Sequence, residues 1–268
     1  MNVARYSPPP DHPLHPYLYG IWECGARGEY ARETILPKGI VDIIFNLGGA
    51  FNITIPHSSE TGTMRSAPYI VGMQMGGITS MPQGDVRMFG MSLRAESCSA
   101  IVPVPAREIA GRFLDAALVF RGMEETIDRL HGARSFRERC AIAMAWIRKR
   151  LDPDPQGMMV MNACRLLNIQ PNGAGIDRAA SDLNLSSRHL RRLFQHHLGV
   201  GPSHYIRLRR FIHAVGLISP ASNLTEIAHA AWYYDQAHFC RDFKDISGMT
   251  PTAYQSQVGP VPGHLFIT

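Results

Sequence analysis

The sequence contains no long run of apolar residues and has few charged residues for its length. Only 18% of its 268 residues are Asp, Glu, Lys or Arg, whereas 45% are hydrophobic. No apolar stretch approaches the roughly 20 residues that cross a membrane, and the start, MNVARYSPPPDHP, lacks the apolar core of a signal peptide. We therefore expect a soluble, cytoplasmic globular protein without membrane contacts, long enough for two domains.

Cysteine and clustered histidine are also scarce. The five cysteines are odd in number and form no C-x-x-C pair, which argues against a disulfide framework and a zinc site. Between residues 17 and 94 the only histidine is His57. A metal-dependent enzyme would need several ligands there, and no nucleophile–base pair is visible either. We predict no metal, no cofactor and no catalytic residues; an enzyme built on this region is an unfavoured alternative.

The N-terminal part is dominated by short β-branched runs separated by proline and glycine. Proline and glycine at these positions predict many short strands, and hence a small β-barrel or sandwich, over residues 1–100, whose first 16 residues are proline-rich and expected to be extended. Asp42 interrupts one apolar run, and an outward-facing position is the expected explanation, with a buried carboxylate as the alternative. The predicted strands are 18–24, 34–39, 40–47, 51–55, 69–73, 77–81 and 86–93.

Residues 101–152 read as helical. The segments 103–113, 124–130 and 136–151 carry helical spacing, and the last has an apolar stripe of Cys140, Met144, Ile147 and Leu151. That stripe is explained equally by a dimer contact and by packing onto the β-rich domain. Two prolines and a glycine then predict a linker at residues 153–157, followed by a helix over 158–169.

A short helix with a basic face follows. In SSRHLRRLFQHHLG, from Ser186 to Gly199, four apolar residues repeat at helical spacing on one face, and Arg188, Arg191, Arg192 and Gln195 occupy the opposite face. Ser186 is a suitable N-cap. A shorter apolar helix, 176–183, precedes it across a tight turn. A helix, a turn and a second helix with a basic face form the helix-turn-helix arrangement, whose second helix enters the major groove of DNA.

The same pattern occurs again about fifty residues later. A helix over 224–231 leads through Trp232, Tyr233 and Tyr234 to Asp235, which can cap a second helix over 236–244. A connecting helix is predicted over 203–218. Residues 171–258 carry nine Lys or Arg against six Asp or Glu, whereas residues 1–100 carry seven against eight. The contrast between a basic C-terminal part and a near-neutral N-terminal part favours a nucleic-acid-binding domain attached to another domain.

Residues 171–258 resemble the DNA-binding domain of AraC/XylS-family transcriptional regulators. The resemblance rests on IDRAASDLNLSSRHLRRLFQHHLGVGPSHYIRLRR and on LTEIAHAAWYYDQAHFCRDFKDISGMTPTAY, with its DQAHF…RDFK…SGMTPTAY ending. Family members usually carry glycine where this sequence has Trp232. Glycine adopts a positive φ at little energetic cost, whereas a bulky aromatic residue does so with strain. The turn here is therefore expected to be rebuilt or strained.

The resemblance implies a fold and partners. The fold expected is α+β: an N-terminal small β-barrel or cupin-like domain with helices, then an all-α domain with two helix-turn-helix units. The domains are residues 1–100 (regulatory), 101–152 (helical, with a homodimer contact as one interpretation), 153–157 (linker), 158–258 (DNA-binding) and a loosely packed tail, 259–268. The partners implied are double-stranded DNA, RNA polymerase if the protein activates, and a small-molecule effector, with a protein partner as the alternative to the effector.

Arginine can bridge guanine O6 and N7, so the basic face supplies the expected base-reading residues. The second unit offers fewer long polar side chains, and Lys244 is expected on phosphate. For Arg207, Arg209 and Arg210 on the connecting helix, phosphate contact and simple solvation are equally expected. The candidate DNA-binding residues are Arg188, His189, Arg191, Arg192, Gln195, Gln236, Arg241 and Lys244.

Overall fold

The computed structural model describes residues 2–27, 32–54, 61–64, 68–169, 175–259 and 263–267. An antiparallel sheet forms the N-terminal part and helices form the C-terminal part, so the predicted α+β class is confirmed. The described strands are β1 (Asn2–Tyr6), β2 (Leu18–Arg27), β3 (Arg32–Ile35), β4 (Ile40–Thr54), β5 (Thr61–Met64), β6 (Tyr69–Val71), β7 (Ile78–Arg94), β8 (Phe113–Asp115) and β9 (His264–Ile267).

Two long strands, β4 and β7, form the centre of the sheet. The main path runs β1-β2-β7-β4-β6-β8; β3 pairs with the early part of β7, β5 with the end of β4, and β9 with β3. Each central strand joins two runs that the sequence predicted separately. Ile55, the last residue of one predicted strand, lies outside the described residues. Among the described strands the sheet stays open and does not close into a barrel.

A kink near Gly49 lets β4 stay paired with β7. The register of this pair shifts on either side of Gly48. Gly49 has φ +80°, and a Cβ there would lie 2.1 Å from the carbonyl oxygen of Asp85. Only glycine fits such an approach, so Gly48 and Gly49, which follow the predicted strand 40–47, shift the register of β4 without ending it.

Helix α3 (Phe136–Arg150) packs on one face of the sheet, and helix α2 (Met123–Gly132) packs against α3. Phe136 packs edge-on against Phe89 of β7, with ring centroids 6.4 Å apart. The buried Arg139 guanidinium donates to Glu23 of β2 at 2.7 Å. The stripe of α3, including the buried Cys140 and Ile147, therefore packs onto the sheet within one chain.

Two sequence predictions in the connecting region are wrong. The helix predicted over 103–113 is reduced to α1 (Ala106–Ile109), and β8 begins at Phe113. The next helix, α4 (Pro155–Ile169), starts within the predicted linker. Asp154 begins it, because its Oδ1 accepts the backbone N–H groups of Gln156 at 2.8 Å and Gly157 at 2.9 Å. The remaining helices are α5 (Gly175–Asp182), α6 (Ser187–Leu198), α7 (Pro202–Leu217), α8 (Leu224–Ala230), α9 (Gln236–Ser247) and α10 (Pro251–Gln255).

The end of the tail forms a strand of the sheet, so the prediction of loose packing is wrong for residues 263–267. Strand β9 pairs antiparallel with β3. The backbone N–H of Gly263 donates to the Tyr254 hydroxyl at 3.0 Å, and its carbonyl accepts from Leu36 N–H at 2.8 Å. One contiguous set of buried apolar residues extends from Leu14 to Leu265. In the described part of the chain, no helix is both long and apolar enough to cross a membrane.

Candidate nucleic-acid interface

The first helix-turn-helix unit consists of α5, a tight turn and α6. Asn184 in the turn has φ +56°, a conformation that asparagine tolerates better than most residues. The Ser186 hydroxyl accepts the N–H of His189 at 3.1 Å, which confirms the predicted N-cap. Helix α6 ends at Gly199, with φ +74°. Both ends of the helix are therefore fixed by local chemistry.

The second unit, α8 to α9, repeats this construction. The Asp235 carboxylate accepts the N–H of His238 at 2.6 Å, as predicted, and Gly248 ends the helix with φ +80°. Trp232 has φ +60°, so the aromatic residue adopts the backbone conformation that glycine would otherwise supply. Its ring stacks on His213 of α7, with centroids 4.6 Å apart. The turn keeps its shape and carries the expected strain.

The two units correspond cap to cap. Helices α6 and α9 each contain 12 residues between their capping residues. The first residue of each is hydrogen-bonded to the preceding helix: Ser187 donates to Asp177, and Gln236 accepts from Thr225. Each second helix is thus held in the same way against its first helix. We call α6 and α9 the recognition helices, the usual name for the second helix of a helix-turn-helix unit.

Helix α7 joins the two units through aromatic contacts. Phe194 of α6 packs edge-on against Tyr205 of α7 at 5.8 Å, and Phe243 of α9 packs on Phe211 of α7 at 5.1 Å. All four rings are buried. Because one rigid helix contacts both recognition helices, their relative placement is set by the core.

The faces turned away from this core are polar. In α6 the exposed residues include Arg188, Arg191, Arg192 and Gln195; in α9 they include Gln236, Arg241 and Lys244. When the two helices are aligned at their N-caps, Ser186 and Asp235, Arg192 corresponds to Arg241 and Gln195 to Lys244. The same alignment matches Arg188 with Ala237 and Arg191 with Cys240, so the second helix carries fewer long polar side chains at matched positions.

His189 differs from the other candidate residues. It is half-buried, and its Nε2 is buried without a hydrogen-bond partner among the described residues. Seven of the eight candidate residues therefore lie on exposed faces, whereas His189 turns partly toward the protein.

Arg207 of α7 has a structural partner that the sequence did not reveal. Its Nε donates to the buried carboxylate of Asp242 and its NH2 to Asp245 at 3.1 Å. The Tyr233 hydroxyl donates to the same Asp242 at 3.1 Å. This guanidinium ties α7 to α9, so solvation alone does not describe it. This ion pair forms because α7 and α9, which are separated in the sequence, lie side by side in the fold. No local sequence pattern indicates it.

The recognition helix α6 also contacts the N-terminal part of the chain through its last turn. The His197 ring nitrogen Nδ1 lies 3.0 Å from the hydroxyl of Ser99, which belongs to a short 3₁₀ helix over Ala95–Ala100. A Cβ on Gly199 would lie 2.6 Å from the Ala110 methyl group. Burial lowers the pKa of His197, while Asp154 partly opposes that shift. The first unit is therefore docked directly on the segment that leaves the sheet.

Buried polar groups lie on the sheet face opposite the main core. The Ser92 hydroxyl donates to Asp42 and accepts from Trp22 Nε1, the latter at 3.1 Å. Burial raises the pKa of Asp42, an effect opposed by Lys38 and these hydrogen bonds. Asp42 therefore lies on the face away from the main core, as expected, but it is half-buried there and hydrogen-bonded to Ser92.

Comparison with known proteins gives two family matches. A family described as "Helix-turn-helix domain" matches residues 179–257, and one described as "Domain of unknown function (DUF6597)" matches residues 6–115. An uncharacterized HTH-type transcriptional regulator of Haemophilus influenzae is 28% identical over 94 residues. That match covers 35% of this chain and 32% of the relative, so the alignment spans about a third of each protein.

Solved structures resemble the whole chain in fold. ToxT from Vibrio cholerae, determined at 1.65 Å resolution, matches with a TM-score of 0.53 at 8% identity, covering 88% of this chain and 98% of ToxT. A structure of unsaturated fatty acid bound wild-type ToxT, from strain SCE256, matches with a TM-score of 0.50 at 9% identity, covering 89% and 95% of the two chains. At such identities the likeness concerns the fold alone.

Proposed function

Since the C-terminal part of this chain is the DNA-binding domain of an AraC-type transcriptional regulator, we propose that the whole protein is a sequence-specific regulator whose two recognition helices read successive major-groove segments. The observation that carries the proposal is the cap-to-cap correspondence of α6 and α9, each with an exposed polar face. Helices placed in this way are expected to enter the groove about 34 Å apart, on one face of the duplex.

Helix α6 is assigned more of the base contacts than α9. Arg188, Arg191 and Arg192 are assigned to base edges, because each can form a bidentate contact with guanine. Gln195 is assigned a supporting role, and His189 contributes if its half-buried ring turns outward. In the second unit Gln236 and Arg241 contact bases or backbone, and Lys244 contacts phosphate. The Gln236 carbonyl already accepts from Thr225, so its amide nitrogen is the group available to a base edge.

The N-terminal sheet is proposed to bind a small-molecule effector. A second apolar cluster, separate from the main core, is built on Ile53, Ile78 and Val86. Half-buried apolar side chains, among them Tyr69 and Met88, pack against it. The fold likeness to ToxT, one structure of which contains an unsaturated fatty acid, makes such a compound the first probe to test. Control by a protein partner instead of a ligand remains the alternative.

The test of DNA reading is a selection of the full-length protein against a random duplex pool at two salt concentrations. We expect an asymmetric site with two blocks about ten base pairs apart, the α6 block being the better defined. The double variant Arg188→Ala/Arg191→Ala should lose the α6 block. Arg148→Ala/Lys149→Ala removes the same charge from the exposed face of α3 and should leave both blocks intact. Recovery of a single block would contradict reading by two helices.

The effector is tested separately by thermal unfolding with an unsaturated long-chain fatty acid. Binding to the folded state raises the melting temperature by an amount that grows with ligand concentration. Ile78→Asp, which places a charge in the second apolar cluster, should abolish that rise while the variant still binds the selected duplex. An unchanged melting temperature at saturating ligand would contradict a fatty-acid effector and favour the protein-partner alternative.

A further inference from the structure

The two units differ in the length of their turns. In the first unit a single residue, Leu185, separates the positive-φ residue Asn184 from the N-cap Ser186. In the second unit two residues, Tyr233 and Tyr234, separate Trp232 from Asp235. The second turn is therefore one residue longer, although the recognition helices have equal length.

The additional residue is Tyr234. Tyr233 takes the structural place of Leu185, because its N–H donates to Ala228 O at 2.9 Å as that of Leu185 donates to Ala180 O at 2.8 Å. The side chain of Tyr233 is also buried, at 4% exposure. Tyr234 has no counterpart in the first unit and is 88% exposed, more than any other large apolar side chain in the described residues.

Its position places Tyr234 at the DNA-facing end of the second unit. It directly precedes the N-cap of α9, and in helix-turn-helix proteins the N-terminal residues of the recognition helix approach the bases. Tyrosine hydroxyls are among the groups that donate to phosphate oxygens. Since α9 has Ala237 and Cys240 where α6 has arginines, an additional donor beside its N-terminus compensates for part of that loss.

We propose that Tyr234 is a DNA-contacting residue of the second unit, whose hydroxyl donates a hydrogen bond to a backbone phosphate beside the segment read by α9. This inference rests on the proposed function. A phenol is uncharged, so its contact displaces no counterion. The contact strengthens binding by the same factor at every salt concentration, which distinguishes it from a lysine or arginine contact.

The experiment measures the dissociation constant of the full-length protein for the duplex that the wild type enriches from a random pool, across a series of salt concentrations. Tyr234→Phe removes only the hydroxyl and should weaken binding about tenfold with an unchanged salt slope. Tyr234→Ala should weaken it at least as much. Tyr19→Phe is the matched control, since Tyr19 is a 54% exposed tyrosine on strand β2. Because Tyr234 is exposed, both variants should keep the wild-type melting temperature.

Each other outcome has a definite meaning. Wild-type affinity in both Tyr234 variants overturns the inference and leaves the proposed function intact. A loss in Tyr234→Ala alone overturns the phosphate contact, because the ring and not the hydroxyl is then responsible. A loss equal to that of Tyr19→Phe overturns it as well. A wild-type protein that enriches no duplex overturns the proposed function and this inference together.

Discussion

The imidazole of His264 on strand β9 lies between two charged groups, with its Nε2 2.5 Å from the Nζ of Lys38. Its Nδ1 is hydrogen-bonded to the buried carboxylate of Glu33 on β3. One neutral tautomer satisfies both contacts: Lys38 donates to Nε2, and Nδ1–H donates to Glu33. Glu33 and Lys38, which are close together in the sequence, thus hold the C-terminal strand in place through the distant His264.

Replacement of His264 should destabilise the whole chain. His264→Ala leaves the Glu33 carboxylate buried without its imidazole partner, so we expect the free energy of unfolding to fall by about 3 kcal/mol. Urea denaturation of the full-length protein checks this. His204→Ala, at an exposed position on α7, should change the free energy by no more than about 0.5 kcal/mol. Equal effects of the two substitutions would show that the His264 contacts contribute nothing.

The glycines that end the two recognition helices provide a matched pair. Both have a positive φ, so alanine should cost about 1 kcal/mol of backbone strain at either position. A Cβ at Gly248 meets nothing within 4 Å, whereas at Gly199 it lies 2.8 Å from Ala106 O. Gly199→Ala should therefore cost about 2 kcal/mol more than Gly248→Ala in urea denaturation. Equal losses would mean that the contact between α6 and α1 is not maintained in solution.

Replacement of Trp232 by glycine should destabilise the protein less than replacement by alanine. Both variants lose the stacking on His213, but only glycine relieves the strain of φ +60°. We expect Trp232→Gly to be more stable than Trp232→Ala by about 1 kcal/mol by thermal or urea unfolding. At the exposed helical position His229 the order should reverse, with alanine the more stable replacement. The same order at both positions would contradict a strained turn.

Arg192 and Lys244 should differ in what they contribute to DNA binding. Arg192→Ala should weaken binding and relax specificity at one base position, with a loss of about 1–3 kcal/mol on the preferred duplex. Lys244→Ala should weaken all sequences alike and lower the salt slope by about one. Titration of a selected and a scrambled duplex at several salt concentrations separates the two effects. Equal losses on both duplexes for both variants would contradict the assignment.

Acid should loosen the docking of α6 through His197. Burial lowers its pKa in the folded state, and although Asp154 raises it, His196 lowers it further. The unfolded chain therefore takes up this proton first, at about pH 6.5, so stability is full above that pH and is lost as the pH falls toward the lower folded value. The loss should reach at most about 1.4 kcal/mol per pH unit. Stability curves of His197→Gln should lack this component, whereas those of the exposed His196→Gln should retain most of it.

The features predicted correctly from sequence are those set by neighbouring residues. Ser186 and Asp235 were identified as N-caps because a cap is decided by the residue itself and the three that follow. The positive φ at Trp232 was implied by the family resemblance, because relatives usually carry glycine at that turn position. The start of α4 also had a local signal, Asp154 followed by a proline at the first helical position, which the prediction of a linker overrode.

The features that were missed depend on pairing across the chain. Strand β9 exists because a four-residue segment pairs with β3 about 230 positions away, and nothing within the tail indicates that partner. The ion pair of Arg207 with Asp242 and the hydrogen bond from Ser92 to Asp42 belong to the same class. Periodicity shows which side of an element is apolar, but not which polar residue of another element will lie opposite.

The return of the tail to the sheet changes the topology of the whole molecule. Helices α2 to α10 lie between β8 and β9 in the chain, so the helical domain, α4 to α10, is followed by a strand that returns to the same sheet. A domain joined by one tether can pivot freely about it, whereas one held at both ends cannot. Reorientation of α6 and α9 relative to the sheet would therefore require the β3–β9 backbone bonds to break, or both attachments to twist together.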